Sequence, residues 1–152
     1  MLHLELASLT GPVTVTVAYM VLWYYLLLGL QRGAKYRLAA EYQARDQAFD
    51  RYFGQDPQML AVDRVVTNTQ EQMVPFLVAL WLSAVLFSPS LATTLGALYV
   101  LLRAGYPVLM GRRLERLQPK RVYWVTIPCY AIVWTLLGTA LVAVWSAGLP
   151  IA

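Results

Sequence analysis

Three runs of the chain contain no Asp, Glu, Lys or Arg: Leu6–Gln31, Gln72–Leu102 and Val122–Ala152. Soluble domains carry about a quarter charged residues, so runs this long have no natural place in one. A helix crosses the hydrocarbon of a bilayer in roughly 20 residues. The first and last runs therefore each hold one span. The middle run is too long for a single span, and Ser88-Pro89-Ser90 breaks it in two. The expected fold class is an all-α membrane protein, a four-transmembrane-helix bundle in one domain over residues 1–152. Helices are expected at about 11–31, 57–87, 91–110 and 120–145, with a polar loop over 32–56. Overall composition agrees: 59% of residues are hydrophobic and 13% charged.

The net charge of +4 is distributed in a way that speaks of topology. Arg32, Lys35, Arg37, Arg45, Arg51 and Arg64 lie between spans one and two. Arg103, Arg112, Arg113, Arg116, Lys120 and Arg121 lie near the link from span three to span four. With four spans both groups fall on one face, which the positive-inside rule makes cytoplasmic, with both termini opposite. Nucleic acid is not an expected partner, because the cations flank spans and form no contiguous aromatic-basic surface. The single cysteine, Cys129, excludes an intrachain disulfide and a Cys-based metal cluster, and its apolar mid-span setting suits an inert buried thiol. His3 is the only histidine, which argues against a multi-histidine metal or haem site, so no metal is expected. The opening Met-Leu-His-Leu-Glu lacks the positive region of a cleaved signal peptide.

Along the chain, Trp23, Tyr24 and Tyr25 sit near the middle of span one and are expected to pack against neighbouring helices. Arg32 follows the span closely enough to snorkel back toward it. Mixed charges over Gly33–Gln55 read as a solvated, partly helical loop that Gly54 can stop. Asp56-Pro57 is a helix start, with Asp as N-cap and Pro in the first turn. The second helix is longer than the hydrocarbon, so its first turns should project into water, and Pro75 should kink it. Arg64, Asn68 and Glu71 fall at i, i+4 and i+7 and share a helix face. Glu71 is the deepest of these charges, and a carboxylate entering hydrocarbon is a candidate functional group. Arg103, Tyr106 and Met110 (i, i+3, i+7) share a face of span three, where Pro107 is a further bend, as Pro128 is in span four. Ala131, Thr135, Gly138 and Ala143 are small residues that allow close helix approach.

Arginines, one carboxylate and an amide gathered at one end of the bundle suit a zwitterionic ligand. In a small peptide with two carboxylates and one ammonium, arginines would take the carboxylates and Glu71 the ammonium. A structural pairing of Glu71 with an arginine of a neighbouring helix fits the same residues equally well.

Arg64-x-x-x-Asn68-x-x-Glu71, followed by Pro75-Phe76-Leu77 and an apolar span, resembles the signature of the MAPEG family, the membrane-associated proteins of eicosanoid and glutathione metabolism. The resemblance extends to length, span number, basic loops and the position of the motif in the second helix. It implies a homotrimer binding glutathione as co-substrate between subunits, with membrane lipids and a lipophilic small molecule as further partners. Carried over by motif, Arg64, Asn68 and Glu71 would contact glutathione. Arg103 and Tyr106 look like the family's helix-three pair, and Arg32 like the arginine that follows helix one. The family also uses an arginine near the start of helix four to stabilise the glutathione thiolate. Arg121 and Arg116 are the candidates for that catalytic role, in that order, with Arg113 behind them. Two positions depart from the pattern: Gln72 stands where Tyr often follows the motif Glu, and Met110 where a second aromatic is common.

The implied activity is that of a glutathione transferase, with peroxidase activity as an extension. One alternative is a non-catalytic member that binds lipid or glutathione. A more distant one is a small four-span transporter or structural membrane protein in which Glu71 and Arg103 form a buried pair.

Overall fold

The computed structural model describes residues 6–110 and 122–148. Among these residues the chain is all-helical, and four helices are long and apolar enough to cross a membrane: α1 (Leu6–Gln43), α2 (Pro57–Leu86), α3 (Pro89–Met110) and α4 (Tyr123–Ser146). The chain is an integral, multi-pass membrane protein. The link from α3 to α4, with Arg112, Arg113, Arg116, Lys120 and Arg121, lies outside the described residues, as does His3.

Helix α1 does not end near Gln31 as the charge pattern suggested. It runs on as regular α-helix over Leu28–Gln43. Tertiary contacts explain the extension. Antiparallel to it lie the first turns of α2, and polar rungs join the two: Gln31 Nε2 donates to Asp63 (2.7 Å), Arg37 to Gln58 (3.1 Å) and the Tyr42 hydroxyl to Asp56 (3.0 Å). Glu41 also lies one turn from both Arg37 (3.6 Å) and Arg45 (4.0 Å), exposed pairs worth only a few tenths of a kcal/mol. The helix closes at Gln43, not at Gly54. Beyond it Asp46 takes a left-handed conformation (φ 56°), which Asp tolerates better than most residues.

A π-helical stretch, Leu22–Leu27, interrupts α1. It carries the Trp23-Tyr24-Tyr25 run, and the outcome differs from expectation. Tyr24 and Tyr25 are exposed on the outside of the chain, while Leu22 and Leu27 are buried. A π turn rotates the residues after it relative to an ideal helix, and here it buries Leu27 where ideal spacing from Tyr19 and Leu22 would bury Leu26.

The core joins α1, α2 and α3 through three aromatic rings. Phe76 and Tyr99 stack with centroids 3.8 Å apart, and Tyr19 leans on both at 5.1 and 5.9 Å. All three rings are fully buried. Gly96 lets the helices close here, since a Cβ at that position would lie 2.7 Å from Leu80 and 2.8 Å from Val15. The small residues of α4 do not serve this purpose inside the chain: Ala131, Thr135 and Gly138 lie on its exposed side. Helix α4 instead packs through Cys129, Ile132, Leu136 and Ala140, and the Ser83 and Thr139 hydroxyls bond at 2.9 Å between α2 and α4.

Candidate functional site

Asp56 caps α2 by accepting the backbone N–H groups of Gln58 (2.8 Å) and Met59 (3.0 Å), with Pro57 in the first turn. That start fixes the register that brings Arg64, Asn68 and Glu71 onto one face. The helix breaks at Gln72, dividing Pro57–Glu71 from Met73–Leu86. Pro75 has no N–H to give the carbonyl of Glu71, and Phe76 donates to Gln72 at 3.1 Å beyond it. Glu71 therefore sits at the end of a helical segment, exposed, where the polar half of α2 meets its apolar half.

Two helices meet at the centre of this face. The Asn68 amide donates to the Tyr106 hydroxyl at 2.7 Å, joining α2 to α3. Tyr106 is buried and Asn68 half-buried. Arg64 and Glu71 flank the pair along α2, both exposed, and neither makes an ion pair with another described residue. The Glu71–Arg103 pair that a structural or transport role would need is not formed. One step toward α4, Gln72 reaches the Tyr130 hydroxyl at 3.4 Å, a long contact on the outer side of the face.

Arg103 is on the expected face of α3 with Tyr106 and Met110, but that face points into the core. Only 1% of Arg103 is exposed. Its guanidinium carbon lies 5.6 Å from the ring centre of Tyr99 and 5.4 Å from that of Tyr106, and its Nε finds no hydrogen-bond partner. A cation held this way, roughly two turns from the end of α3, relies on aromatic faces in place of a counter-ion. The spacing Tyr99-x-x-x-Arg103-x-x-Tyr106 was visible in the sequence, but only the fold shows Tyr99 as part of the arginine's surroundings.

Arg32 opens elsewhere. It lines a cavity of about 460 Å³ with Leu28, Gln31, Lys35, Tyr36, Arg51 and Tyr52. Arg121 and Arg116 lie outside the described residues. The structure thus brings Asn68 and Tyr106 into contact, sets Arg103 behind Tyr106 and Arg64 and Glu71 beside them, and leaves Arg32 on a separate cavity of the same chain.

A family model for the MAPEG family matches residues 9–145, nearly the whole chain. The chain belongs to the MAPEG family. Comparison with curated proteins gives no match. Membership carries a general role in membrane-associated glutathione or eicosanoid metabolism, in a family that holds both glutathione transferases and non-catalytic members. The match reaches all four helices, so Arg64, Asn68 and Glu71 on α2 and Arg103 and Tyr106 on α3 fall within it.

Proposed function

We propose that this MAPEG protein is a glutathione-dependent membrane transferase or peroxidase acting on lipophilic electrophiles. The observation that carries the reading is the pair of opposite charges, Arg64 and Glu71, on either side of the Asn68–Tyr106 bond, neither of which pairs with another described residue. Glutathione has two carboxylates and one ammonium. Arg64 takes a carboxylate and Glu71 the ammonium, each as a charge-assisted hydrogen bond. Asn68 keeps one amide hydrogen and its carbonyl oxygen for the peptide. Arg103 adds positive potential from behind Tyr106. Arg32 faces another cavity of its own chain, which fits a homotrimer in which an adjacent subunit completes each site.

The chemistry is that of a thiolate. A free thiol ionises near pH 8.5, so about a few per cent is thiolate at neutral pH. A nearby guanidinium in a low-dielectric site favours the anion. Arg121 is assigned that role, with Arg116 next and Arg113 behind. In the transferase reaction the thiol proton leaves to solvent and the sulfur pair forms a bond to the electrophilic carbon. The leaving group departs with its own pair. In the peroxidase reaction sulfur attacks one peroxide oxygen and the alcohol leaves; a second glutathione then yields the disulfide and water. Electrophiles enter laterally from the bilayer, and glutathione from the face that carries the basic loops. That face is assigned to the cytoplasm, with both termini opposite, in a bacterial inner membrane or the endoplasmic reticulum.

Turnover of chlorodinitrobenzene with glutathione tests the enzyme reading, and the ultraviolet band of the bound thiolate tests its mechanism. Arg121→Ala is expected to abolish the band and reduce turnover by two orders of magnitude or more, a loss of about 3 kcal/mol in the barrier. An undiminished band rejects Arg121. Binding of glutathione without any turnover favours a non-catalytic member.

A further inference from the structure

The cavity that holds Arg32 also carries Lys35 and Arg51, two cations to which the glutathione reading assigns no contact. Leu28, Gln31, Arg32, Lys35 and Tyr36 fall at i, i+3, i+4, i+7 and i+8, so one face of α1 supplies one wall. Arg51 and Tyr52, from the segment between α1 and α2, supply the other. Three cations and two tyrosines line it, and no carboxylate does. Asp63, which is not part of the lining, acts on it from outside. It holds the Arg51 guanidinium through two bonds, 3.0 and 2.9 Å, and also takes Gln31. Arg51 is therefore fixed in place by a two-point contact, while Lys35 makes no ion pair with a described residue.

Depth decides what kind of anion fits. The charge-free run of α1 ends at Gln31. By that pattern Leu28 falls one turn toward the hydrocarbon, and Arg32 and Lys35 fall on the aqueous side, at headgroup level. Beside the cavity the chain turns sharply: the Asp50 carboxylate accepts the backbone N–H groups of Tyr52 (3.0 Å) and Phe53 (2.9 Å). That turn leaves Tyr52 83% and Phe53 89% exposed. Two adjacent bare aromatics are costly in water and at home in the interfacial layer of a bilayer.

We propose that this cavity binds the headgroup of an anionic phospholipid, with Lys35 and Arg51 on the phosphate, Leu28 against the first methylenes, and Tyr52 and Phe53 seated in the surrounding interface. Basic pockets at the ends of membrane helices suit such headgroups, and each cation near the surface contributes about 1 kcal/mol. The lipid would tie the segment between α1 and α2 to the bilayer surface and so brace the hairpin from which the Arg64–Glu71 face projects.

The test uses the full chain in neutral detergent. Its unfolding midpoint is followed while dioctanoyl phosphatidylglycerol, dioctanoyl phosphatidylcholine or inorganic phosphate is added. A saturable rise with phosphatidylglycerol and none with phosphatidylcholine is expected. Lys35→Gln should weaken that response about fivefold with an unchanged unliganded midpoint, and Lys35→Arg should restore it. Tyr52→Ala, at an exposed position, should weaken it as well. Equal responses to both lipids, or a Lys35→Gln response equal to wild type, would overturn the proposal. So would saturation by inorganic phosphate at the same concentrations, which would make this a soluble-anion site. Displacement of phosphatidylglycerol by glutathione would give the cavity to the tripeptide, an outcome distinct from a protein that does not respond to glutathione at all.

Discussion

Asp63 and Arg64 are neighbours in the chain and lie on different faces of α2, with opposite fates. Asp63 faces α1 and is fully engaged: Arg51 bonds it twice and Gln31 once, with the ion pair only 24% and 26% exposed. The rungs around it, Arg37 to Gln58 and Tyr42 to Asp56, are satisfied too. Arg64 and Glu71, on the other side, are exposed and make no ion pair with a described residue. One helix thus separates polar groups that hold the hairpin from polar groups left for something else. Near a membrane the contrast carries information, because a charge that enters hydrocarbon without a partner is costly.

Breaking the satisfied side should have the largest effect on stability. Asp63→Ala leaves Arg51 and Gln31 without their acceptor in a half-buried setting. A loss of about 2 kcal/mol is expected, read as a lowered denaturation midpoint. If the variant matches wild type, the rungs do not hold the hairpin.

Tyr106→Phe probes the boundary between the two sides. It strips the Asn68 amide of its acceptor without changing shape, and about 1 kcal/mol should be lost. Glutathione binding should also weaken, since Asn68 is then free to turn. A stability loss with unchanged glutathione affinity would assign the bond to packing alone.

The smallest effect is expected at the turn beside α1. The backbone N–H groups of Phe53 and Tyr52 hold the Asp50 carboxylate below the usual carboxylate range. A depressed native value means the turn is supported at all pH above the unfolded value of about 3.9, and that support fades as pH falls through the lower native value. The amide resonances of Tyr52 and Phe53 should titrate together in that acid window, and Asp50→Asn should remove the transition. A titration at or above 3.9 would contradict the hydrogen bonds.

Much of this layout was legible in the residues. Runs free of charge marked the four helices, Ser88-Pro89-Ser90 marked the turn between α2 and α3, and Asp56-Pro57 marked a start that the structure completes with two capping bonds. The i, i+4, i+7 spacing put Arg64, Asn68 and Glu71 on one face. Other features depend on contacts that no local pattern carries. The extension of α1 to Gln43 is held by rungs to residues of α2, so its polar sequence looked like a loop. Leu27 is buried where ideal spacing from Tyr19 and Leu22 would bury Leu26, because a π-helical stretch shifts the phase of α1. Arg103 looked like a charge at the site's edge, yet tyrosines from its own helix wall it in. A charge so enclosed is invisible to hydropathy, which counts it only as a penalty.

The central claim is that the Arg64–Glu71 face of α2 binds glutathione, and Glu71→Gln tests it most directly. Unfolding midpoints of wild type and variant are compared in detergent with and without glutathione. Both should share the same unliganded midpoint within about 0.5 kcal/mol, as expected for an exposed side chain with no ion-pair partner among the described residues. Glutathione at about a hundred times its dissociation constant should stabilise wild type by roughly 2.7 kcal/mol and leave Glu71→Gln unmoved. Equal stabilisation of the two, or a variant already destabilised without ligand, would contradict the account.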